Sequence, residues 1–125
     1  MRKVTMIVML VLAAALLPAA ALGKDGNPGV IKLGKCTNGA SWKLKGKNDD
    51  GLIEAEFEVD QNRNGRRWNV VLRRNGAVVF RGVRVTRAPS GSFSLERRIR
   101  GRAGADRIVA VATTAGGRCV AALSV

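Results

Sequence analysis

The sequence predicts an all-β chain, an immunoglobulin-like or fibronectin-like antiparallel sandwich of about seven strands. Three observations carry this. Between residues 52 and 80, Ile53, Ala55, Phe57 and Val59 alternate with Glu54, Glu56 and Glu58, and Trp68, Val70 and Leu72 alternate with Arg67, Asn69 and Arg73. A period of two sends alternate side chains to opposite faces of a strand, whereas a helix repeats every ~3.6 residues. Asn75-Gly76, which supplies the positive φ angles of a tight hairpin, hands this run to Val78 and Phe80. Strand-like runs then recur about every 10 to 15 residues with no helical periodicity between them, a closed barrel being the competing arrangement.

In chain order, Arg2 and Lys3 precede an apolar run over 6–17, and Pro18-Ala19-Ala20-Ala21 offers the small residues that a signal peptidase reads. Residues 1–23 are therefore expected to be a cleaved signal peptide, with cleavage after Ala21 or after Gly23 fitting equally well. Pro18 interrupts the run before it reaches the roughly 20 apolar residues of a membrane span, so no transmembrane segment is expected after cleavage. Lys35, far downstream, stands where a lipidated Cys36 would need a small residue. A secreted, extracellular product is expected.

Residues 24–39, rich in Gly, Lys and Asn, read as a flexible lead-in with at most a short extended piece at 30–33, and 40–125 as the sandwich domain. Trp42 and Leu44, between lysines, mark the first strand, and 46–51 is turn chemistry. Beyond Phe80 the apolar phase changes, because Val83 and Val85 oppose Val78 and Phe80, and a bulge or a change of strand is expected at Gly82. Ala88-Pro89-Ser90-Gly91 is a turn. The next strand has Phe93, Leu95 and Ile99 in one phase, with Arg97 sharing it against chemical type. Ile108, Ala110 and Ala112, then Cys119, Ala121, Leu123 and Val125, complete the set on either side of Gly116-Gly117.

Cys36 and Cys119 are expected to form a disulfide, because an even count in an exported chain favours one. A redox or metal pair would want a CxxC spacing or a histidine, and the chain has neither. Charge is lopsided: Lys and Arg number 22 against 9 Asp and Glu, a formal +13. Loss of Arg2 and Lys3 would leave about +11. In a sandwich of this kind the second strand pairs with the fifth, setting Glu54, Glu56 and Glu58 beside Arg98 and Arg100. The third and fourth strands keep Arg67, Arg73, Arg74, Arg81 and Arg84 with almost no acid, a candidate anion-binding patch.

The runs SWKLK, EFEVDQNRNG, RRWNVVLRRNG and FRGVRVTRAPSGSF, with the alanine-rich segment before Cys119, make the chain resemble small secreted uncharacterised proteins of high-GC Gram-positive bacteria. That resemblance implies an exported immunoglobulin-like β-sandwich with a disulfide. It implies no activity and brings no functional residues with it.

Motifs that carry chemistry are fragmentary. Gly29, Gly34 and Lys35 nearly spell a phosphate-binding loop, but Cys36 takes its final Ser/Thr place and no βα unit follows. Asp60, Asn62, Asn64 and Gly65 match the first half of a calcium loop, yet Val71 occupies the bidentate carboxylate position and Arg63 and Arg66 add positive charge, so no metal site is expected. Without histidine there is no Ser-His-Asp triad, and the glutamates of 54–58 read as a solvated face, so neither enzyme activity nor a cofactor is expected. Nucleic acid is disfavoured as a partner because Trp42 and Trp68 share phase with core residues and aromatics are scarce. The expected function is a basic, non-enzymatic module binding an anionic cell-wall polymer, polysaccharide or lipid headgroup. The alternatives are a protein–protein module of the cell surface, and a compositional arginine excess with no ligand.

Overall fold

The computed structural model describes residues 29–125; the signal peptide expected over 1–23, and most of the residues ahead of the first strand, lie outside the described residues. Eight antiparallel strands follow: β1 (Val30–Lys35), β2 (Ser41–Asp49), β3 (Leu52–Asp60), β4 (Arg67–Arg74), β5 (Ala77–Val85), β6 (Ser92–Arg100), β7 (Arg107–Thr114) and β8 (Gly117–Ser124). They form two sheets, ordered β1-β2-β3-β6 and β5-β4-β7-β8. The β2 to β8 strands are the expected immunoglobulin-like or fibronectin-like sandwich, three strands on four, and β1 extends the first sheet. Among the described residues, no helix is long and apolar enough to cross a membrane.

Alternation decides which way each strand faces. In β3, Ile53, Ala55, Phe57 and Val59 are buried and the glutamates between them half-exposed. The partner residues Phe93, Leu95 and Ile99 of β6 are buried opposite Val59, Phe57 and Ile53. Trp68, Val70 and Leu72 of β4 close on them from the second sheet, with Ile108, Ala110 and Ala112 of β7 alongside. Phe93 sits between Phe57 and Trp68, at ring-centroid distances of 6.1 Å and 6.3 Å, in tilted geometries that favour the ring quadrupoles. The Trp68 indole N–H, which would otherwise be an unpaired buried donor, donates to Gln61 Oε1 at 3.1 Å. Burial of each large side chain contributes about 1.5–3 kcal/mol, so this interleaved layer is the main stabilising element.

Three expectations are corrected. The turn expected over 46–51 narrows to Asp50-Gly51, because β2 runs on through Gly46 to Asp49. The lead-in expected over 24–39, with at most a short extended piece at 30–33, carries a full strand from Val30 to Lys35, paired with β2 from Val30↔Gly46 to Lys35↔Ser41. Edge position explains why its pattern is weak: Ile31 and Leu33 face outward, and only Val30 and Gly34 serve the inner side. The Trp42 indole lies across Gly34, where a Cβ would collide with the ring. The irregularity expected at Gly82 sits instead opposite Leu72/Arg73, where Leu72 pairs with Phe80 and Arg73 with Val78, leaving Val79 as the extra residue. From Phe80 to Val85 the strand keeps one phase, with Phe80, Gly82 and Arg84 inward and Arg81, Val83 and Val85 outward. The apparent phase change came from valines that point away from the core.

Loops are tied by polar side chains at both ends. The buried Thr86 hydroxyl donates to the Arg63 carbonyl at 2.5 Å and accepts from the Arg66 N–H at 2.9 Å, fastening the β3–β4 connection to the strand end. At the far end the buried Asp106 carboxylate accepts from Asn75 Nδ2 at 2.7 Å and from the Arg102 N–H at 3.3 Å. Asn75 Oδ1 in turn accepts from the Arg107 N–H, which locks the β4–β5 hairpin against the start of β7. Cys36, at the end of β1, is disulfide-bonded to Cys119 of β8, joining the two sheets. Beside it the Thr37 N–H donates to the Arg118 carbonyl and Thr37 Oγ1 accepts from the Arg118 N–H.

Candidate functional site

The two outer faces differ in charge because the strand sequences differ. The strands of the first sheet carry eight cationic and six acidic residues, and β3 alone holds Glu54, Glu56, Glu58 and Asp60. Cross-strand pairing puts these acids between the lysines of β2 and the polar face of β6: Lys43↔Glu58, Lys45↔Glu56, Lys47↔Glu54 and Glu54↔Arg98. Arg98 Nη2 donates to Glu54 Oε1 at 3.0 Å, and this hydrogen bond, then its Coulombic pull, raises the guanidinium pKa above its ordinary value. A shallow depression of about 410 Å³ on this face is lined by Lys45, Lys47, Glu54, Glu56, Glu96 and Arg98, so its charges offset one another locally.

The strands of the second sheet carry seven arginines and not one Asp or Glu. Register shows how they are laid out. Across the outer face run the rows Val83–Asn69–Thr113–Arg118, Arg81–Val71–Val111–Val120 and Val78–Arg73–Val109–Ala122, with Arg67 beyond one end and Arg107 beyond the other. Arginine alternates with valine, and Val120 is 52% exposed, so the face is apolar between the charges. Each guanidinium presents a planar fork of donors suited to a carboxylate or phosphate, and low-polarity neighbours strengthen such a contact.

The five residues expected to form an anion-binding patch do not lie together. Arg67, Arg73 and Arg81 share the outer face. Arg74 reaches across the end of the sandwich, where its Nη1 donates to the Arg100 carbonyl. Arg84 turns inward at the β5 edge, its guanidinium 4.9 Å from the Phe80 ring centroid. Arg107 and Arg118 join the face from β7 and β8, and the signal that could have found them is alternation, since each precedes a buried residue, Ile108 and Cys119.

All five aromatic residues are covered. Trp68, Phe57 and Phe93 are buried, Trp42 is half-buried over Gly34, and Phe80 lies under two arginines. No open ring is therefore presented for stacking on a base or a sugar. At the calcium-loop resemblance, Asp60 Oδ1 accepts from the Asn62 N–H at 2.9 Å, a turn-forming contact within the loop. Among the described residues no group of three or more His, Cys, Asp or Glu side chains is placed to hold a metal ion.

No family model matches the chain, and no curated protein matches it in sequence. Among solved structures it is similar to a chitin binding domain from Burkholderia pseudomallei, at 13% identity and a TM-score of 0.36, over 59% of this chain and 51% of that one. The matched part thus spans about half of that domain, and no ligand is carried over from it.

Proposed function

We propose that the protein is a secreted, non-enzymatic module whose β5-β4-β7-β8 face binds an anionic component outside the cell, such as a cell-wall polymer, an acidic polysaccharide or lipid headgroups. The observation that carries this is the division of charge: five outward arginines with no acid on the outer face of one sheet, against a nearly balanced lattice on the other. A disulfide between distant cysteines, of a kind that persists in oxidising compartments, supports the extracellular setting. With no open aromatic ring on the face, charge is the favoured basis of recognition over stacking on a neutral sugar.

The test is retention of the purified protein on isolated cell envelopes and on a matrix of acidic polysaccharide. Retention is expected at low salt and is expected to vanish near about 0.5 M salt, where the Debye length falls to a few ångströms. The Arg67→Gln, Arg73→Gln, Arg81→Gln triple variant is expected to lose it, and full retention by that variant sinks the reading. One observation favours a second reading: on the edge strand β1, Leu33 is 74% exposed and Ile31 52%. An exposed apolar edge is a template for a partner strand. Binding that survives high salt and disappears in Leu33→Lys moves the site to that edge and makes the protein a protein–protein module.

A further inference from the structure

The sandwich is closed along one side by β5 and β6, the edge strands of opposite sheets, and this seam is polar where a core would be apolar. Arg97 of β6 occupies an inward phase between the buried Leu95 and Ile99, and its guanidinium lies 4.5 Å from the Phe80 ring centroid. Arg84 of β5 covers the same ring at 4.9 Å and donates from Nη1 to the Val83 carbonyl at 3.0 Å. Next along the seam is a cleft of about 360 Å³ whose polar lining is Arg84, Arg87, Ser92 and Ser94, with Val85 and Phe93 among its apolar lining. Arg87 and Ser92 are held opposite each other by backbone hydrogen bonds, Arg87 N to Ser92 O at 2.9 Å and Ser92 N to Arg87 O at 3.3 Å.

Three guanidiniums thus line one seam, and no ion pair from Arg84, Arg87 or Arg97 to a carboxylate occurs among the described residues. The hydroxyls are partly committed. Ser94 donates to Glu58 Oε2 at 3.4 Å, while Ser90 and Ser92 share one hydrogen bond at 2.6 Å, leaving that pair one hydrogen to donate elsewhere. Like charges gathered without a counter-charge are stabilised by binding one, and these border a half-open depression similar in form to the one on the first sheet's face.

We propose that the cleft between β5 and β6 is a receptor for a single tetrahedral oxyanion, a phosphate or sulfate group either free or as the monoester of a small alcohol or sugar. Arg87 and the Arg84 donors left over from its bond to the Val83 carbonyl would supply N–H groups, the Ser90–Ser92 pair one O–H, and Phe93 and Val85 would flank the organic substituent. The volume lies within the range of small-ligand pockets, roughly 300–1,000 Å³. Arg84 and Arg87 are not among the arginines of the outer-face rows, although Val83 and Val85 bring the cleft to the rim of that face.

Titration calorimetry at low ionic strength tests it, with inorganic phosphate, glycerol phosphate and a sulfated monosaccharide as ligands and sodium chloride at matched ionic strength as the blank. One saturable site per chain is expected, weakened at least 10-fold in Arg87→Gln and unaltered in the charge-matched Lys45→Gln on the opposite face. Arg87 is exposed and its backbone makes the turn's hydrogen bonds, so its substitution leaves the fold intact, a point checked by melting temperature. Arg84→Gln is expected to lose binding as well, and the test rests on Arg87 if loss of stacking on Phe80 unfolds it. Tighter binding of an ester than of phosphate identifies the ester as ligand, and equal binding identifies the free ion. Heat no greater than the chloride blank with all three ligands, or undiminished binding in Arg87→Gln, overturns the proposal.

Discussion

Arg97 shows how a single side chain can satisfy an inward position without being apolar. Its β-carbon points toward the core side, but the edge strand lets the guanidinium reach the seam and lie on Phe80, a cation–π contact worth about 0.5–2 kcal/mol. Thr86 and Gly34 matter for other reasons. Thr86→Val keeps the volume of a buried residue but strands the Arg66 N–H and the Arg63 carbonyl, and is expected to cost about 1–3 kcal/mol in denaturant unfolding. Gly34→Ala places a methyl where the Trp42 ring lies, and is expected to cost about 1–3 kcal/mol while shifting tryptophan emission. Residues of this kind were the hardest to read in advance. Nothing in the spacing of Thr86 announces that its hydroxyl bridges two points of a loop 20 and 23 residues earlier in the chain, and Arg97 registers only as a break in its strand's pattern.

Strands were more legible than their edges. The alternation over 52–80 predicts β3 and β4 because both are buried on one face and wet on the other, the condition under which period two is strongest. The pairing of the second predicted strand with the fifth is present as β3 with β6, in register from Leu52↔Arg100 to Asp60↔Ser92. β1 was less visible since an edge strand covers little core, and the bulge was misplaced because the β5 valines lie on the outer face, where they mimic a core phase. The expected neutralisation of the glutamates by β6 is also incomplete. Glu54 meets Arg98, but Glu56 stands opposite Glu96. Like charges directly across an antiparallel pair destabilise it, so Glu96→Lys is expected to raise stability by about 0.2–1 kcal/mol, read as an increased midpoint in urea at low salt. A fall in that midpoint would mean that Lys45, opposite Glu56 on the other side, already balances both acids.

At the scale of the molecule, two sheets with different surfaces are held by a common core and one covalent tie. The disulfide spans a sequence separation of 83, and in the chain-entropy model a loop of that length is worth about 4–5 kcal/mol. The Cys36→Ala, Cys119→Ala variant is expected to lose about that much, and the unmodified protein to show a comparable drop on addition of reductant. An unchanged unfolding midpoint would assign the join between β1 and β8 to the Thr37–Arg118 backbone contacts instead.

Confinement of the strand acids to one broad side, with cations on both, gives the molecule a permanent dipole directed through its thinnest dimension. Approaching a negatively charged boundary, it experiences a torque before it experiences contact, and arrives already oriented. Molecules adsorbed in that attitude turn the lysine–glutamate lattice outward, so a dense layer of them exposes a nearly neutral skin over a positive underside.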